Sequence, residues 1–362
     1  MTKVAITGVG LHTAHGDASA TALALAQGRS GVTWDHPWNK GRSPFPAAPA
    51  PDPAPTEFLA DRKAIKYMGP CTQMAVLAAG RALRNAGLLG SDHAGIRADM
   101  ALFVATGPIA FDVEGALRSI GPDGTEDLLA LRQEGLRKCH PLLPFKMLLN
   151  MPLGLVSITF GLRGANAILY PGPEQGALGL SHALRGLRAG RFSRALVGGN
   201  AHTLALSPLL SLERSGKLRT ETGDGFAPAD QAAFLVLETE SAARERGARV
   251  VGWLRDVTVL GPGTVDKAWK SATVIPNSIL TTGACTQAEK IGDETRAHTV
   301  WPGARVTTVD GSLGVAPAAS FVLATAIACL PDALVDRGEH VMISFHDEQA
   351  AAVAMVSAPE AA

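Results

Sequence analysis

Short apolar runs alternate along this chain with stretches of helical periodicity, which is the pattern of an α/β layered fold. The runs predict strands from Val4 to Gly8, Met100 to Ala105, Ala167 to Tyr170, Ala195 to Gly198 and Ala233 to Glu238. A second set follows from Val250 to Val259, Ser278 to Thr281, Arg305 to Val309, His340 to Phe345 and Ala351 to Val356. The two sets have a similar rhythm and divide the chain into an N-terminal half, 1–245, and a C-terminal half, 246–362.

The clearest internal echo is strand, turn and small-residue helix. Ala167 onward leads into a predicted helix from Gly176 to Gly190, and Arg305 onward leads into one from Gly311 to Leu330. Ala, Gly and Ser recur in both, so their backbones can approach a neighbouring layer closely and both helices should be buried. The segment from Pro44 to Pro55 carries too many prolines for a helix or a central strand. It is expected to run extended over the surface as an ordered crossover.

Composition narrows the class of protein. With 362 residues, 46% hydrophobic and 18% charged, the chain can bury one large core or two fused ones. Lys and Arg (33) balance Asp and Glu (33), which gives no electrostatic footprint for nucleic acid or an anionic membrane. Cys71, Cys139, Cys285 and Cys329 are scattered, without CxxC or a His at metal spacing, so neither zinc nor a disulfide framework is indicated. The segment Lys3 to Gly10 reads as a strand, with no charged n-region before a cleavable apolar stretch. No apolar run reaches membrane-spanning length. The reducing cytoplasm is the expected compartment.

Six separate segments stand out by their order and spacing: Val4-Ala5-Ile6-Thr7-Gly8-Val9-Gly10, His140-Pro141-Leu142-Leu143-Pro144-Phe145 leading to Asn150-Met151, Phe160-Gly161-Leu162-Arg163-Gly164, Val197-Gly198-Gly199-Asn200, Asp224-Gly225-Phe226 and Ala233 to Glu238. Together they resemble elongating β-ketoacyl-acyl-carrier-protein synthases. Each is weak alone; their order and spacing are specific. The resemblance implies an α/β thiolase-type fold, with two duplicated βαβ halves packed as five αβαβα layers.

In active members of that family a Cys at a helix N-terminus takes an acyl group from a carrier protein, helped by backbone N–H groups that favour thiolate. Two His side chains then stabilise the enolate formed as a malonyl unit loses carbon dioxide. The resemblance puts the nucleophile's position at Gln175 or, without a gap, at Pro173. It puts the first His at Thr282, before Gly283-Ala284-Cys285-Thr286, and the second at Ser312, after Gly311. The family's Lys has no counterpart around Thr307. The glycine-rich gating loop is replaced by Ser344-Phe345-His346-Asp347-Glu348-Gln349, and Asp and Glu do not supply glycine's mobility.

Within the family this pattern resembles the chain-length factor, the non-condensing β subunit of type II polyketide synthases, whose members commonly carry Gln in place of the Cys. The run Pro171-Gly172-Pro173 and the short stretch between Asn200 and Asp224 depart from that pattern. The resemblance implies an architectural subunit that forms a heterodimer with an active ketosynthase. No cofactor would be bound, and the growing polyketide or polyene chain would be carried on the phosphopantetheine of an acyl carrier protein. It also implies an interface at Ala167, Ile168, Leu169 and Tyr170, since an uncovered apolar edge is a liability. The chain tunnel would be gated by Ile109, Asp112 and Ala116, which one-turn spacings place on one helical face. Ala116 leaves space where related subunits often have a ring.

Other chemical residues have plainer readings. Gln175 fills the vacated pocket and hydrogen-bonds the backbone. Cys285, a free Cys close to the expected site, reads as a small hydrophobe. Cys139 and His140, neighbours on an extended chain, point to opposite sides and form no dyad. His346, Asp347 and Glu348 read as a solvated loop, and His12 and His15 as a turn after the first strand. The competing class is a stand-alone acyltransferase or condensing enzyme with a relocated nucleophile, Cys285 or Cys139.

Overall fold

Each predicted apolar run forms a strand. β1 is Val4–His12, β2 Ala101–Thr106, β3 Asn166–Leu169, β4 Arg194–His202 and β5 Asp230–Thr239; β6 is Gly252–Leu260, β7 Ser278–Thr282, β8 Arg305–Thr308, β9 His340–His346 and β10 Ala351–Ser357. The computed structural model describes residues 2–39, 44–108, 125, 127–135, 137, 141–170, 172, 174–221, 223–261, 264–270, 274–330, 340–346 and 351–359.

The strands hydrogen-bond in the order β3-β2-β4-β5-β1-β6-β10-β9-β7-β8. Read inward from either end, each half runs through three parallel strands and then two antiparallel ones. The halves are therefore topological duplicates. They meet where β1 pairs with β6, Val4 opposite Leu254 and Ile6 opposite Gly252, so one continuous sheet serves both. This is the thiolase-type fold expected from the sequence.

Helices cover both faces, and this explains why the strands read as unbroken apolar runs. The helices that matter here are α1 (Pro70–Asn85), α2 (Met151–Phe160), α3 (Gln175–Arg188), α4 (Leu206–Arg214), α5 (Val265–Lys270), α6 (Gln287–Val300), α7 (Asp310–Leu313) and α8 (Pro317–Ile327). α1 and α2 pack on the outer face of the first half, burying Met74, Leu83, Val156 and Phe160 against Val104 and Phe234. Trp269 of α5 and Trp301 after α6 stack at 5.7 Å and cover Ile279, Met342 and Val353 on the outer face of the second. α3 and α8 lie between the halves, with Leu180, Leu184, Phe321 and Val322 in the largest core cluster. Small residues set that approach: a Cβ on Gly199 of β4 would overlap the Ala318 carbonyl oxygen of α8.

Four expectations are corrected. β1 continues through His12, because its pairing with β5 extends to Ala232. Tyr170 and Met100 fall just outside their strands. The helix expected from Gly311 to Leu330 is two helices, broken at Gly314, whose φ of +68° lies in the left-handed region. The proline-rich segment is extended but not superficial. Ala47 and Ala48 bridge to Thr33 and Ala229, and Phe45 is buried in a small core with Leu204 and Leu209.

Candidate active-site cavity

The C-terminal ends of the parallel strands, where open α/β sheets place their ligands, surround a cavity of about 210 Å³. Thr106 ends β2, Gly172 follows β3 and Gly283 follows β7; Phe345 closes it from β9 and Ala318 from α8. Among the described residues that line it, none is Cys or His, and Lys217 is the charged one.

Gln175 is the first residue of α3. Its Nε2 donates a 2.6 Å hydrogen bond to Oε1 of Glu174. The Glu174 carboxylate folds over Gly172, where a Cβ would overlap it. Among the described residues the amide is engaged by the side chain of its neighbour. Gly176 lies close to α8; a Cβ there would meet the Ala318 carbonyl at 3.1 Å. Pro171 and Pro173 lie outside the described residues.

Thr282, at the end of β7, is buried, and its Oγ1 donates a 2.6 Å hydrogen bond to Oδ1 of Asp310. The Gly283 N–H donates to Oδ2 of the same carboxylate at 2.8 Å. Burial pushes the Asp310 carboxyl up to about 6, opposed by the Thr282 and Gly283 hydrogen bonds. Ser312 is half-buried in α7, and its backbone is tied down: its carbonyl accepts from Gly31 N–H at 2.8 Å and its N–H donates to Val309 O at 3.1 Å. The structure therefore joins Thr282 to Asp310 rather than to Ser312. Sequence reasoning missed Asp310, although a lone carboxylate between Val309 and Gly311 in an apolar stretch was a signal.

The cysteines divide by burial. Cys71 accepts a 2.8 Å hydrogen bond at Sγ from Asn200 Nδ2, and burial pushes its thiol up to about 11. Burial pushes Cys329 up to about 12. Both are protonated at neutral pH and poor nucleophiles. Cys285 is half-buried; its N–H donates to Glu289 Oε2 at 2.7 Å and its carbonyl accepts from Gly225 N–H at 2.9 Å. Cys139 and His140 lie outside the described residues, as do Asp347 and Glu348, while His346 ends β9. His12 is buried and donates through Nε2 to Pro51 O at 2.9 Å; burial and then Arg81 lower its pKa to about 4, so it is neutral. Burial and then Arg29 lower that of His15. Among the described residues no group of three or more His, Cys, Asp or Glu is arranged to hold a metal ion.

β3, with Ala167, Ile168 and Leu169, is one end of the sheet and pairs with β2; Tyr170 follows it, 41% exposed. On α2, which leads into β3, Ile158 is 76% exposed. Ile109, Asp112 and Ala116 lie outside the described residues. Among the described residues no helix is long and apolar enough to cross a membrane.

Comparison with known proteins agrees with this architecture. The profile of the family described as beta-ketoacyl synthase, N-terminal domain, matches residues 1–243. The chain is 28% identical over 265 residues to the 3-oxoacyl-acyl-carrier-protein synthase 2 of Vibrio harveyi, covering 68% of this chain and 60% of that one. It spans between about half and three fifths of the length of the curated relatives it matches. Among solved structures, the one described as the ishigamide ketosynthase/chain length factor superposes with a TM-score of 0.79 at 18% identity, over 99% of this chain and 100% of that one. A type II PKS acyl-carrier protein in complex with its ketosynthase bound to the hexaketide, AntDE:AntF, gives 0.77 at 15% identity, over 99% and 100%. At these identities the likeness establishes the fold.

Proposed function

Since the chain belongs to the β-ketoacyl synthase family, we propose that it is the non-condensing chain-length factor of a two-subunit polyketide or polyene synthase. The observation that carries this reading is that none of the described residues lining the cavity is Cys or His. At the positions that match the family's reactive ones stand a glutamine that donates to Glu174 and a threonine that donates to Asp310, and neither supplies a thiolate or an imidazole. A missing nucleophile alone leaves room for a displaced one. Loss of both imidazoles as well removes the means of stabilising the malonyl-derived carbanion.

In this role the subunit acts through surfaces. The outer edge of β3, with the exposed Tyr170 after it, is the face that an active ketosynthase covers, and Ile158, exposed on the helix that precedes β3 in the chain, is assigned to the same contact. The partner supplies the Cys and both His. An acyl carrier protein delivers the chain on its phosphopantetheine arm, and the chain grows into a tunnel that Ile109, Asp112 and Ala116 bound. The likeness to the ishigamide ketosynthase/chain length factor and to AntDE:AntF supports this reading of the partners.

Co-expression with a ketosynthase tests it. A stable one-to-one complex is expected, together with a chain that remains unacylated when incubated alone with acyl and malonyl carrier protein. Cys285 carries the rival reading, since it is the described cysteine that is not buried and it follows cavity-lining Gly283 closely. Covalent acylation of the isolated chain, lost in Cys285→Ala or Cys139→Ala, would replace the architectural role with a catalytic one.

A further inference from the structure

We propose that Asp310 is a positioning residue whose carboxylate pins the Thr282–Gly283 turn and so sets the cavity wall against which an acyl group lies. The proposal goes beyond the reading above, which assigns this cavity no occupant: it has the cavity lodge an acyl group.

The geometry places Asp310 where the β ladder stops. β7 and β8 pair in parallel as far as Thr281 opposite Thr308, and Val309 N–H still donates to Thr281 O at 3.0 Å. Beyond that point β8 no longer pairs with β7, while on the other side β9 pairs with it through Thr282 opposite Phe345. The Asp310 carboxylate takes over, accepting the Gly283 N–H on one oxygen and the Thr282 hydroxyl on the other. Gly283 has a φ of +95°, a conformation open to glycine, and presents only backbone to the cavity. Without side-chain packing, its position depends on what holds the backbone. Asp310 holds one side of the turn, and the 2.9 Å bond from Gly225 N–H to Cys285 O holds the other.

Asp310 is itself held from behind. Gly31 N–H donates to Ser312 O at 2.8 Å, and Ser30 Oγ donates to Gly311 O at 3.2 Å. The carboxylate therefore transmits the placement of α7 to the wall of the cavity.

The charge on Asp310 controls the strength of this tether. An ionised carboxylate accepts both hydrogens in charge-assisted bonds. When it is protonated, its O–H can donate to Thr282 Oγ1, because a hydroxyl both donates and accepts, while the other oxygen keeps the Gly283 N–H in a weaker neutral bond. An Asn at 310 makes the same pair of contacts, its Nδ2 donating to Thr282 and its Oδ1 accepting from Gly283. Asp310→Asn is thus a permanent copy of the protonated state, whereas Asp310→Ala removes both tethers. The charged groups that bear on Asp310 are Lys290 and Asp293 of α6; His15 and Arg29 lie beside the Gly31 loop.

The test is a hydrogen-exchange titration of the full chain with octanoyl-pantetheine, followed at peptides covering 278–288, at pH 7.5 and pH 5.0 after correction for intrinsic exchange. At pH 7.5 the wild type is expected to protect Gly283 and to bind the probe roughly fivefold more tightly than Asp310→Asn, the value of about 1 kcal/mol for a lost charge assistance. Asp310→Ala should bind more weakly still. At pH 5.0 the wild type should fall to the Asp310→Asn level, and Asp310→Asn should not change. Equal affinities in all three proteins, absence of probe protection at 278–288 in the wild type, or a pH step that persists in Asp310→Asn would each overturn the proposal. A purely structural Asp310 would lower melting temperatures and leave the affinities alone. Size-exclusion of the wild type with its ketosynthase is run in parallel. A chain that binds the probe as expected but forms no complex defeats the chain-length-factor reading alone, and one that forms the complex but ignores the probe defeats this inference alone.

Discussion

Arg194 Nε donates a 2.9 Å hydrogen bond to Oε2 of Glu238, joining the start of β4 to the end of β5 with the carboxylate wholly buried. Arg246 donates to both oxygens of that carboxylate, and Thr7 Oγ1 adds a 2.6 Å bond from β1. Burial pushes the Glu238 pKa up, but Arg246, Thr7 and Arg194 outweigh it and leave it below the usual value. Glu238→Ala leaves two arginines facing a dry pocket and is expected to cost about 3–5 kcal/mol. Because the folded-state pKa is depressed, the stabilisation is complete above the unfolded-state pKa and fades as pH falls through the folded one. Urea unfolding followed from pH 7 downward should show wild type beginning to lose this contribution near pH 4 and losing more as the pH falls further, with Glu238→Gln losing none of it. A Glu238→Ala protein as stable as wild type would dissolve the argument.

Gly314 offers a test at the break between α7 and α8. At its φ of +68° a Cβ would lie 2.8 Å from the Ala227 carbonyl oxygen and 2.9 Å from Ala48 Cβ, so it meets both backbone strain and backbone contact. Gly314→Ala should destabilise by roughly 1–3 kcal/mol. It should also disturb the cavity, since Val315 N–H donates to Ala227 O at 2.8 Å and Val315 is part of the lining. Melting of Gly314→Ala beside Gly311→Ala, where a Cβ meets nothing, separates the strain from a general loss of glycine.

The fold was legible because its strands are buried on both faces. β1, β2, β5 and β10 are buried along almost their whole length and carry unbroken apolar stretches, such as Ala232 to Leu237 in β5, that stand out without any alternation to read. The helix break at Gly314 was missed because small residues recur on both sides of it, although Gly314 followed by Pro317 at the start of the next helix is a stop and restart signal. Phe45 was misplaced on the surface because proline content predicts extension but says nothing about depth. Gln175 and Thr282, proposed to stand where active relatives carry Cys and His, were picked out from the order of flanking motifs. What holds them could not be: Glu174 is adjacent, yet Asp310 reaches Thr282 across 28 positions of sequence through the parallel pairing of β7 and β8.

Gln175→Cys should not create a condensing enzyme if Thr282 and Ser312 stand where active relatives carry His, and Glu174 supplies a second reason. The Glu174 carboxylate that now accepts the Gln175 amide would sit beside the new thiol and disfavour its thiolate. The variant is expected to alkylate slowly with iodoacetamide, faster when combined with Glu174→Ala, and to form no condensation product with malonyl carrier protein in either case. Gln175→Ala should cost about 1 kcal/mol or less, because it removes one half-buried hydrogen bond. Robust condensation from Gln175→Cys alone would defeat the reading of the vacated site.

Ala116→Trp addresses chain length. If Ala116 borders the end of the tunnel, an added indole cannot be accommodated without clash, and the reconstituted pair should release shorter products. Mass spectrometry of the products decides it: an unchanged length distribution from an intact complex removes Ala116 from the gate.

The partner face can be tested without touching the core. Ile158 is 76% exposed and Tyr170 is 41% exposed, so polar replacements there leave little buried contact to lose within the chain. Ile158→Lys and Tyr170→Asp are expected to change stability by about 0.5 kcal/mol or less. If a ketosynthase covers this face, each replacement places a charge in a dry interface, and affinity should fall about tenfold or more. Leu23, 55% exposed on the helix Ala18–Ala26 and far from β3 in the strand order, provides the control: Leu23→Lys should leave affinity unchanged. Sedimentation of the co-expressed pair across a concentration series measures all three. Equal affinities for Ile158→Lys, Tyr170→Asp and Leu23→Lys would move the interface away from β3, and with it the route by which the two subunits could share a tunnel.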